Sequence, residues 1–465
     1  MYASRYNLDF QIQDEEKVIL NNALSGAVDI VEDGALNVLK LIKKGEDMGD
    51  EYGDLIKNLM VRGYVFKNKE EEDNVIKQMS KKLDEEMAIA PENFVISTTY
   101  TCNMRCKYCF QSTLPPDVPA VISKDMINRA FEFMVNLHRE RGAKGNSLLT
   151  IYGGEPLQEG EDYKKAIRQI LGGAQKENYG VVIITNGISL AEYCSNILCE
   201  YEIKEIHVTL DGVKSKHNRR RPLANGEGSF EKIIEGIDIA LDHGFKINLR
   251  FVADSDNVDA LPELVDFMCE KGWVDMPHFT PHMGRICCGC PGEYTHNIMT
   301  TDHLIEKLLE FYKTNERVRK IIPIRCMGLD RLCNTGKPYP PIFASCPGAK
   351  IEYALDAYGN LYPCSASMGK KEFQIGRYYP DVEFNERIDK WRSRSIFSNS
   401  ECANCKVSLY CGGGCPIEAF LEKGSFEASS CRPVLSILKL GFNYFYPNLQ
   451  EIAKDNASKK EMGCC

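Results

Sequence analysis

The sequence predicts an α/β protein. Its centre is a partial (β/α)6, TIM-like barrel, with a small winged-helix-like unit before it and a cysteine-rich domain after it. Three observations carry this. Strand and helix patterns alternate through six units from residue 93 onward, and parallel strands need helical crossovers of that kind. Polar or glycine-containing turns follow the first four of those strands, the end at which barrels place their chemistry. The chain's 20 cysteines fall in groups rather than being scattered.

Residues 1–90 open the chain. "KVILNNALSGAVDIVE" reads as two strands about a turn at Ser25-Gly26. "GALNVLKLIKKG" and "YGDLIKNLMVRG" repeat apolar residues at helical spacing and close on Gly, and "YVFK" returns as a strand. The charged segment "KEEEDNVIKQMSKKLDEEM" reads as a linker helix. The barrel is expected over residues 91–285. "NFVISTTY", "SLLTIYGGEP", "YGVVIITNG", "IKEIHVTLDG", "KINLRFVAD" and "DMPHFTPHMG" are its strands. Helices fall between them: one with Ser123 as N-cap, then 160–175, 189–200, 229–243 and 257–271. Residues 286–345 bridge irregularly. Residues 346–440 are rich in Cys and Gly, too poor in apolar residues to build much core without metal. Residues 441–465 form a terminal helix and tail.

Composition narrows the class. The chain has 465 residues, 43% hydrophobic and 26% charged, as in ordinary globular proteins. Its net charge of −9 argues against a nucleic-acid partner. The run Arg219-Arg220-Arg221 is the local exception and, taken alone, reads as a solvated loop. The N-terminus lacks a basic-then-apolar signal, and no run of about 18 apolar residues exists to span a membrane. The expected compartment is the cytoplasm, where clustered cysteines bind metal more often than they form disulfides.

The stretch "TTYTCNMRCKYCFQ", residues 98–111, holds Cys102, Cys106 and Cys109 in the spacing C-x3-C-x2-C. Soft thiolates so close select zinc or an iron–sulfur cluster. Structural zinc wants a fourth Cys or His, and the nearest, His138 and Cys194, lie on other predicted helices. A [4Fe–4S] cluster on three cysteines leaves one iron open to a small molecule.

That motif, with Tyr108 before its last cysteine and "YGGEP" at the next strand end, resembles the radical S-adenosylmethionine (SAM) superfamily. The resemblance implies that the open iron chelates SAM. One electron then cleaves the sulfonium to a 5′-deoxyadenosyl radical, which takes hydrogen from substrate. It places Gly153, Gly154 and Glu155 at the SAM amine, where glycines allow close approach and a carboxylate pairs with ammonium. It places Asn186 and Thr209 near ribose or carboxylate, and Arg221, with Arg250 as rival, at the SAM carboxylate. Asn-Gly and Asp-Gly are also turn formers in any protein.

The second cysteine group resembles the seven-cysteine SPASM domain of peptide-modifying radical enzymes. The resemblance implies an outer cluster on Cys402, Cys405, Cys411 and Cys431, and an inner one on Cys346, Cys364 and Cys415. With the SAM cluster that makes three [4Fe–4S] clusters. Some relatives carry a further cysteine where Glu352 stands here. The inner cluster's fourth place is therefore taken by Cys326 or Cys333, or is open to a substrate thiolate. Gly359 is expected to turn a hairpin that delivers Cys364. Peptide modifiers of this kind often bind a leader peptide through an N-terminal winged-helix module, so residues 1–90 are expected to bind the leader of a ribosomally made precursor by strand addition. The implied electron donor is a flavodoxin or ferredoxin. The expected reaction is a thioether crosslink, with a carbon–carbon crosslink or sulfatase maturation (formylglycine formation) as alternatives. A zinc scaffold is the non-enzymatic alternative. No general acid, base or nucleophile is assigned. His138, His243 and His303 read as surface or satisfied helix residues, and Cys194, Cys199 and Cys269 as buried small apolar ones. Cys287, Cys288, Cys290, Cys464 and Cys465 are given no firm role.

Overall fold

A computed structural model describes residues 1–13, 17–46, 52–113, 121–286 and 292–461. Cys287, Cys288, Cys290, Cys464 and Cys465 lie outside the described residues. Strands β1 (Tyr2–Ala3) and β2 (Asn7–Gln11) come first, followed by β3 (Val18–Asn22) and β4 (Val28–Val31). Helices α1 (Asp33–Lys44) and α2 (Gly53–Val61) lead to β5 (Val65–Phe66) and α3 (Lys69–Ala88). β2, β3 and β4 form an antiparallel sheet in that order, and β1 pairs with β5. The turn between β3 and β4 uses Gly26 at φ 72°, a backbone that glycine adopts without strain.

Six parallel strands follow: β6 (Asn93–Ser97), β7 (Leu148–Tyr152), β8 (Gly180–Thr185), β9 (Ile203–Thr209), β10 (Ile247–Ala253) and β11 (Phe279–Arg285). Between them run α4 (Lys124–Arg141), α5 (Glu161–Lys176), α6 (Leu190–Asn196), α7 (Lys214–Arg220), α8 (Phe230–Asp242) and α9 (Leu261–Glu270). Ser123 caps α4 by accepting from the Met126 amide. α7 was not anticipated; its "KSKHNRR" has no apolar period.

The sheet continues past the barrel. β12 (Glu352–Leu355) pairs parallel with β6, and β13 (Asn360–Tyr362), β14 (Gly376–Arg377) and β15 (Glu383–Phe384) follow antiparallel. These strands of two to four residues are too short to show a period in sequence, so the ten-stranded sheet was legible only for its parallel part. Gly359, at φ 87°, turns β12 into β13 as expected.

The N-terminal elements pack into the rest. Leu8, Phe10, Ile12 and Ile19 belong to the barrel's buried core, and Phe10 meets Phe442 of the C-terminal helix at 4.9 Å between ring centroids. Tyr6 and Leu24 bury with Phe343, Ile396 and Leu409. α3 is therefore more than a linker: Ile76 is buried in that same cluster, and Asn68 caps the helix. No helix among the described residues is long and apolar enough to cross a membrane.

Glu92, just before β6, clamps the end of the barrel away from the strand C-termini. Its buried carboxylate pairs with His138 Nδ1 at 2.6 Å and with Arg141, and accepts from Ser147 Oγ at 2.9 Å. Burial alone would raise its pKa, but the His138, Ser147 and Arg141 contacts outweigh it and hold it below the usual value. Its stabilisation is therefore present above the ordinary carboxylate range and fades as pH falls below about 4. Glu92→Ala removes the buried carboxylate that half-buried Arg141 and His138 share and is expected to cost about 3 kcal/mol, read as a lowered Tm at pH 7.

Candidate active site at the carboxyl ends of the barrel strands

The loop after β6 carries Cys102, Cys106 and Cys109. All three line one cavity with Gly153, Gly154 and Glu155 from the end of β7. Asn186, Thr209, Arg221, Arg250 and Tyr108 line it too, so every residue expected at the SAM site from sequence converges there.

The local geometry assigns several of them a supporting task. Gly153 and Gly154 lie against the loop that carries the cysteines. A Cβ on Gly154 would stand 2.1 Å from the Thr101 carbonyl oxygen, and one on Gly153 2.5 Å from that of Thr99. Their closeness lets the Gly154 amide donate to Thr99 O at 2.7 Å and the Glu155 amide to Thr101 O at 2.9 Å. The Glu155 carboxylate accepts from Thr185 Oγ1 at 2.5 Å, from the Asn186 amide at 2.6 Å and from the Leu157 amide at 2.9 Å. Three of its roughly four acceptor directions are thus taken, and one remains for a ligand. Burial pushes its pKa up to about 7 despite those bonds. Asn186 donates to Asn103 Oδ1 at 2.7 Å, steadying the cysteine loop.

The arginine run is not a solvated loop. Arg220 is 0% and Arg221 7% exposed; only Arg219 reaches solvent, pairing with Asp256. Arg220 bonds Asp254 at 2.8 and 2.9 Å and the Tyr294 hydroxyl at 2.7 Å. Arg221 donates to the Tyr108 hydroxyl at 2.7 Å, and Tyr108 donates to Asp211 at 2.6 Å. The Asp-Gly at the end of β9 is therefore a buried anchor that orients Tyr108, next to Cys109.

Orphaned donors mark what the cavity takes. The Nε atoms of Arg221 and Arg250 and the Nε2 of Gln111 are buried without a hydrogen-bond partner, and all three residues line the cavity. Unpaired buried donors are costly, and an anionic ligand such as the SAM carboxylate would satisfy them. Gln111 was missed in the sequence; no motif singles it out. Burial pushes the Cys102 thiol up to about 12, helped by Glu155, and Cys106 up to about 11 against the pull of Arg221. Thiols so disposed are poor thiolates until a metal lowers their pKa, so the donor set fits a bound cluster.

The later cysteines form two sets. Burial, with smaller contributions from Cys415 and Glu352, raises Cys346 to about 11. Burial raises Cys364 too, with Glu352, Cys346 and Cys415 adding to it. Cys402 feels Cys411, Cys431 and Cys405, and Cys411 feels Cys405 and Cys431. One set thus holds Cys346, Cys364 and Cys415, the other Cys402, Cys405, Cys411 and Cys431. The "CGGGCP" glycines make this arrangement possible. Ser345, beside Cys346, donates to the Gly412 and Gly414 carbonyls, and the Ser430 amide, beside Cys431, donates to that of Gly413. A Cβ on Gly414 would lie 2.0 Å from the Ser430 oxygen. Arg394, 5% exposed, sits between the sets: its charge is felt by Cys346 and Cys402, and it donates to Gly413 O at 2.6 Å.

Cys326 and Cys333 stand elsewhere. Cys326 is buried against Gly441 and Leu329, and the acidic neighbour of both thiols is Asp330 rather than any cysteine of the inner set. Cys194 is buried and Cys269 half-buried, but Cys199 is exposed, because it falls on a short 3-10 turn at the rim of the barrel. Among the described residues no three of His, Cys, Asp and Glu are grouped for a single metal ion. The two centres meet: Ala366, two residues after Cys364, lines the cavity of the first three cysteines. Arg285 at the end of β11 lines it as well, and reaches Glu418 of the helix Pro416–Lys423 at 3.3 Å.

A strand-end cysteine triad, a glycine-pinned loop and unpaired cationic donors thus line a single cavity. The sequence model of the Radical SAM superfamily matches residues 96–268, so the barrel is a radical SAM domain. That domain implies a [4Fe–4S] cluster and SAM. The cysteine-type anaerobic sulfatase-maturating enzyme of Clostridium perfringens is 22% identical over 375 residues, 76% of this chain and 96% of that protein. The radical SAM cyclopropyl synthase TigE of Paramaledivibacter caminithermalis is 21% identical over 445 residues, 87% of each. Among solved structures, anSMEcpe with bound AdoMet superposes with a TM-score of 0.60 at 19% identity, covering 78% of this chain and 96% of that one. Streptococcus suis SuiB bound to precursor peptide SuiA gives 0.52 at 17%, covering 92% and 98%. At these identities the superpositions show a shared fold.

Proposed function

We propose that this enzyme modifies a ribosomally made precursor peptide by forming a thioether between a cysteine sulfur and a carbon. The carrying observation is that Ala366, two residues after Cys364 of the inner set, lines the cavity of the first three cysteines, so a substrate there lies beside the segment that carries Cys364. In this reading Cys102, Cys106 and Cys109 hold the SAM cluster. Cys402, Cys405, Cys411 and Cys431 hold the outer cluster, and Cys346, Cys364 and Cys415 the inner one. The cluster and SAM together supply one-electron cleavage to a 5′-deoxyadenosyl radical.

Arg221, Arg250 and Gln111 would hold the SAM carboxylate, and the free acceptor direction of Glu155 would be available to its amine. Thioether formation removes a hydrogen atom from carbon and a proton from sulfur, and returns one electron, equal to the one spent on SAM. Buried Arg394, between the two later sets, favours electron uptake there by its positive charge. The N-terminal unit binds the leader. β4 is an outer strand of its sheet and offers the edge for strand addition. A small electron-donor protein of the flavodoxin or ferredoxin kind supplies the reducing electron, and the enzyme works in the cytoplasm.

Formylglycine formation is the second reading, favoured by the 96% coverage of the sulfatase-maturating relative. Coexpression with candidate precursor peptides and mass spectrometry separates the two. A product that has lost two hydrogens and resists thiol alkylation is the expected result. A product that reacts with a hydrazide, as an aldehyde does, would establish formylglycine instead. A crosslinked product whose thiols still alkylate would be carbon–carbon linked.

A further inference from the structure

We propose that the carboxylate of Glu352 is the fourth ligand of the inner cluster; the inference rests on the reading that Cys346, Cys364 and Cys415 hold that cluster. The backbone leads to it. β12 and β13 pair with Ala354 opposite Tyr362 and Leu355 opposite Leu361. Continuing that register by two residues sets Glu352 opposite Cys364. Opposed residues of an antiparallel pair project on one face, with Cβ atoms about 5 Å apart.

The other side of Glu352 faces Cys346. Glu352 bridges to Gly348, its amide donates to Pro347 O at 3.1 Å, and its carbonyl accepts from the Ala349 amide at 2.9 Å. The Gly348 amide in turn points at Cys346 Sγ, at 3.4 Å. The side chain stays at this end of the hairpin, where its carboxylate accepts from the backbone amide of Ser365, next to Cys364. Among the described residues, burial and the Ser365 amide are what act on its carboxylate, with no lysine or arginine, whereas Cys346 and Cys364 both sense its charge. Glu352 is half-buried, and an iron ion beside Cys346 and Cys364 would be the counter-charge its carboxylate lacks. Three thiols and one carboxylate make the four donors a cubane needs. Cys326 and Cys333 lie with Asp330 instead.

Oxygen is a harder donor than thiolate for such iron. Glu352 thus closes the site at rest with a ligand that a substrate thiolate can displace, which keeps the thioether route available.

The test uses full-length protein carrying Cys102→Ala, Cys106→Ala and Cys109→Ala, so that only the two later clusters remain, reconstituted anaerobically and examined by Mössbauer spectroscopy and iron analysis. The expected spectrum contains about one distinct iron in eight, with the higher isomer shift of an oxygen-ligated site. Glu352→Cys should keep the iron and erase that distinct site. Glu352→Gln, similar in shape but a poor ligand, should alter the site or lose about four irons, which Glu352→Cys restores. Identical spectra with Glu and Cys at 352, or equal iron loss in both variants, would overturn the proposal. A separate arm tests the underlying reading. If Cys346→Ala, Cys364→Ala and Cys415→Ala together leave iron unchanged, the inner cluster itself is misassigned, and the ligand proposal falls with it.

Discussion

Replacing Cys102, Cys106 and Cys109 together with alanine is expected to abolish 5′-deoxyadenosine formation while about eight irons per chain remain. These three thiols line the cavity with Gly153, Gly154, Glu155 and Arg221, whereas the seven later cysteines form two sets of their own on the hairpin and the glycine-rich segment. Cys102 senses Glu155, Cys106 and Cys109, and Cys106 senses Arg221, Cys109 and Asp211. Loss of the triad therefore removes the SAM-cleaving cluster and spares the others. The check is iron analysis beside chromatographic assay of 5′-deoxyadenosine under dithionite. Normal SAM cleavage by the triple variant would transfer the chemistry to another cluster.

Gly154→Ala should lower SAM cleavage by about 100-fold or more, with the fold retained. The new Cβ would meet the Thr101 oxygen at 2.1 Å, the Thr101 carbonyl carbon at 2.6 Å and the Tyr100 oxygen at 2.6 Å. All three are backbone atoms of the loop that leads into Cys102, so no side chain can swing away. The loop must move by about 1 Å, and a misplacement of that size at a reacting centre costs about 100-fold. Gly172→Ala is the control, because nothing lies within 4 Å of its added Cβ; it should match the unaltered enzyme. A Gly154→Ala enzyme of full activity would show that the close approach of β7 to the cysteine loop is dispensable.

The sequence made the barrel legible because long strands and amphipathic helices carry period, and it made the site legible because thiols and glycines at strand ends have few other uses. Less visible was how much of the site is held by partners distant in sequence. Asp211 reads as a turn former, yet it anchors Tyr108, 103 positions away. Arg220 and Arg221 look like surface charge, and are buried because Asp254 and Tyr108 receive them. Gln111 and Arg394 belong to no motif, and only their burial and unpaired Nε2 and Nε atoms distinguish them. The glycines of Gly153-Gly154 and of "CGGGCP" suggest close approach to a ligand. Their nearest neighbours are instead the chain segments that carry Cys102, Cys346 and Cys431. The union of the N-terminal unit with the core was equally hidden, since it runs through single contacts such as Phe10 with Phe442 and Tyr410 with Asn21.

The central claim is that a radical generated beside Cys102, Cys106 and Cys109 takes hydrogen from a peptide. Deuterium transfer tests it most directly. The reconstituted enzyme would be incubated with SAM, reductant and perdeuterated precursor peptide, and 5′-deoxyadenosine analysed by mass spectrometry. The account predicts deuterium in 5′-deoxyadenosine together with a modified peptide that has lost the matching hydrogen. A peptide that is modified while 5′-deoxyadenosine stays free of deuterium would contradict it.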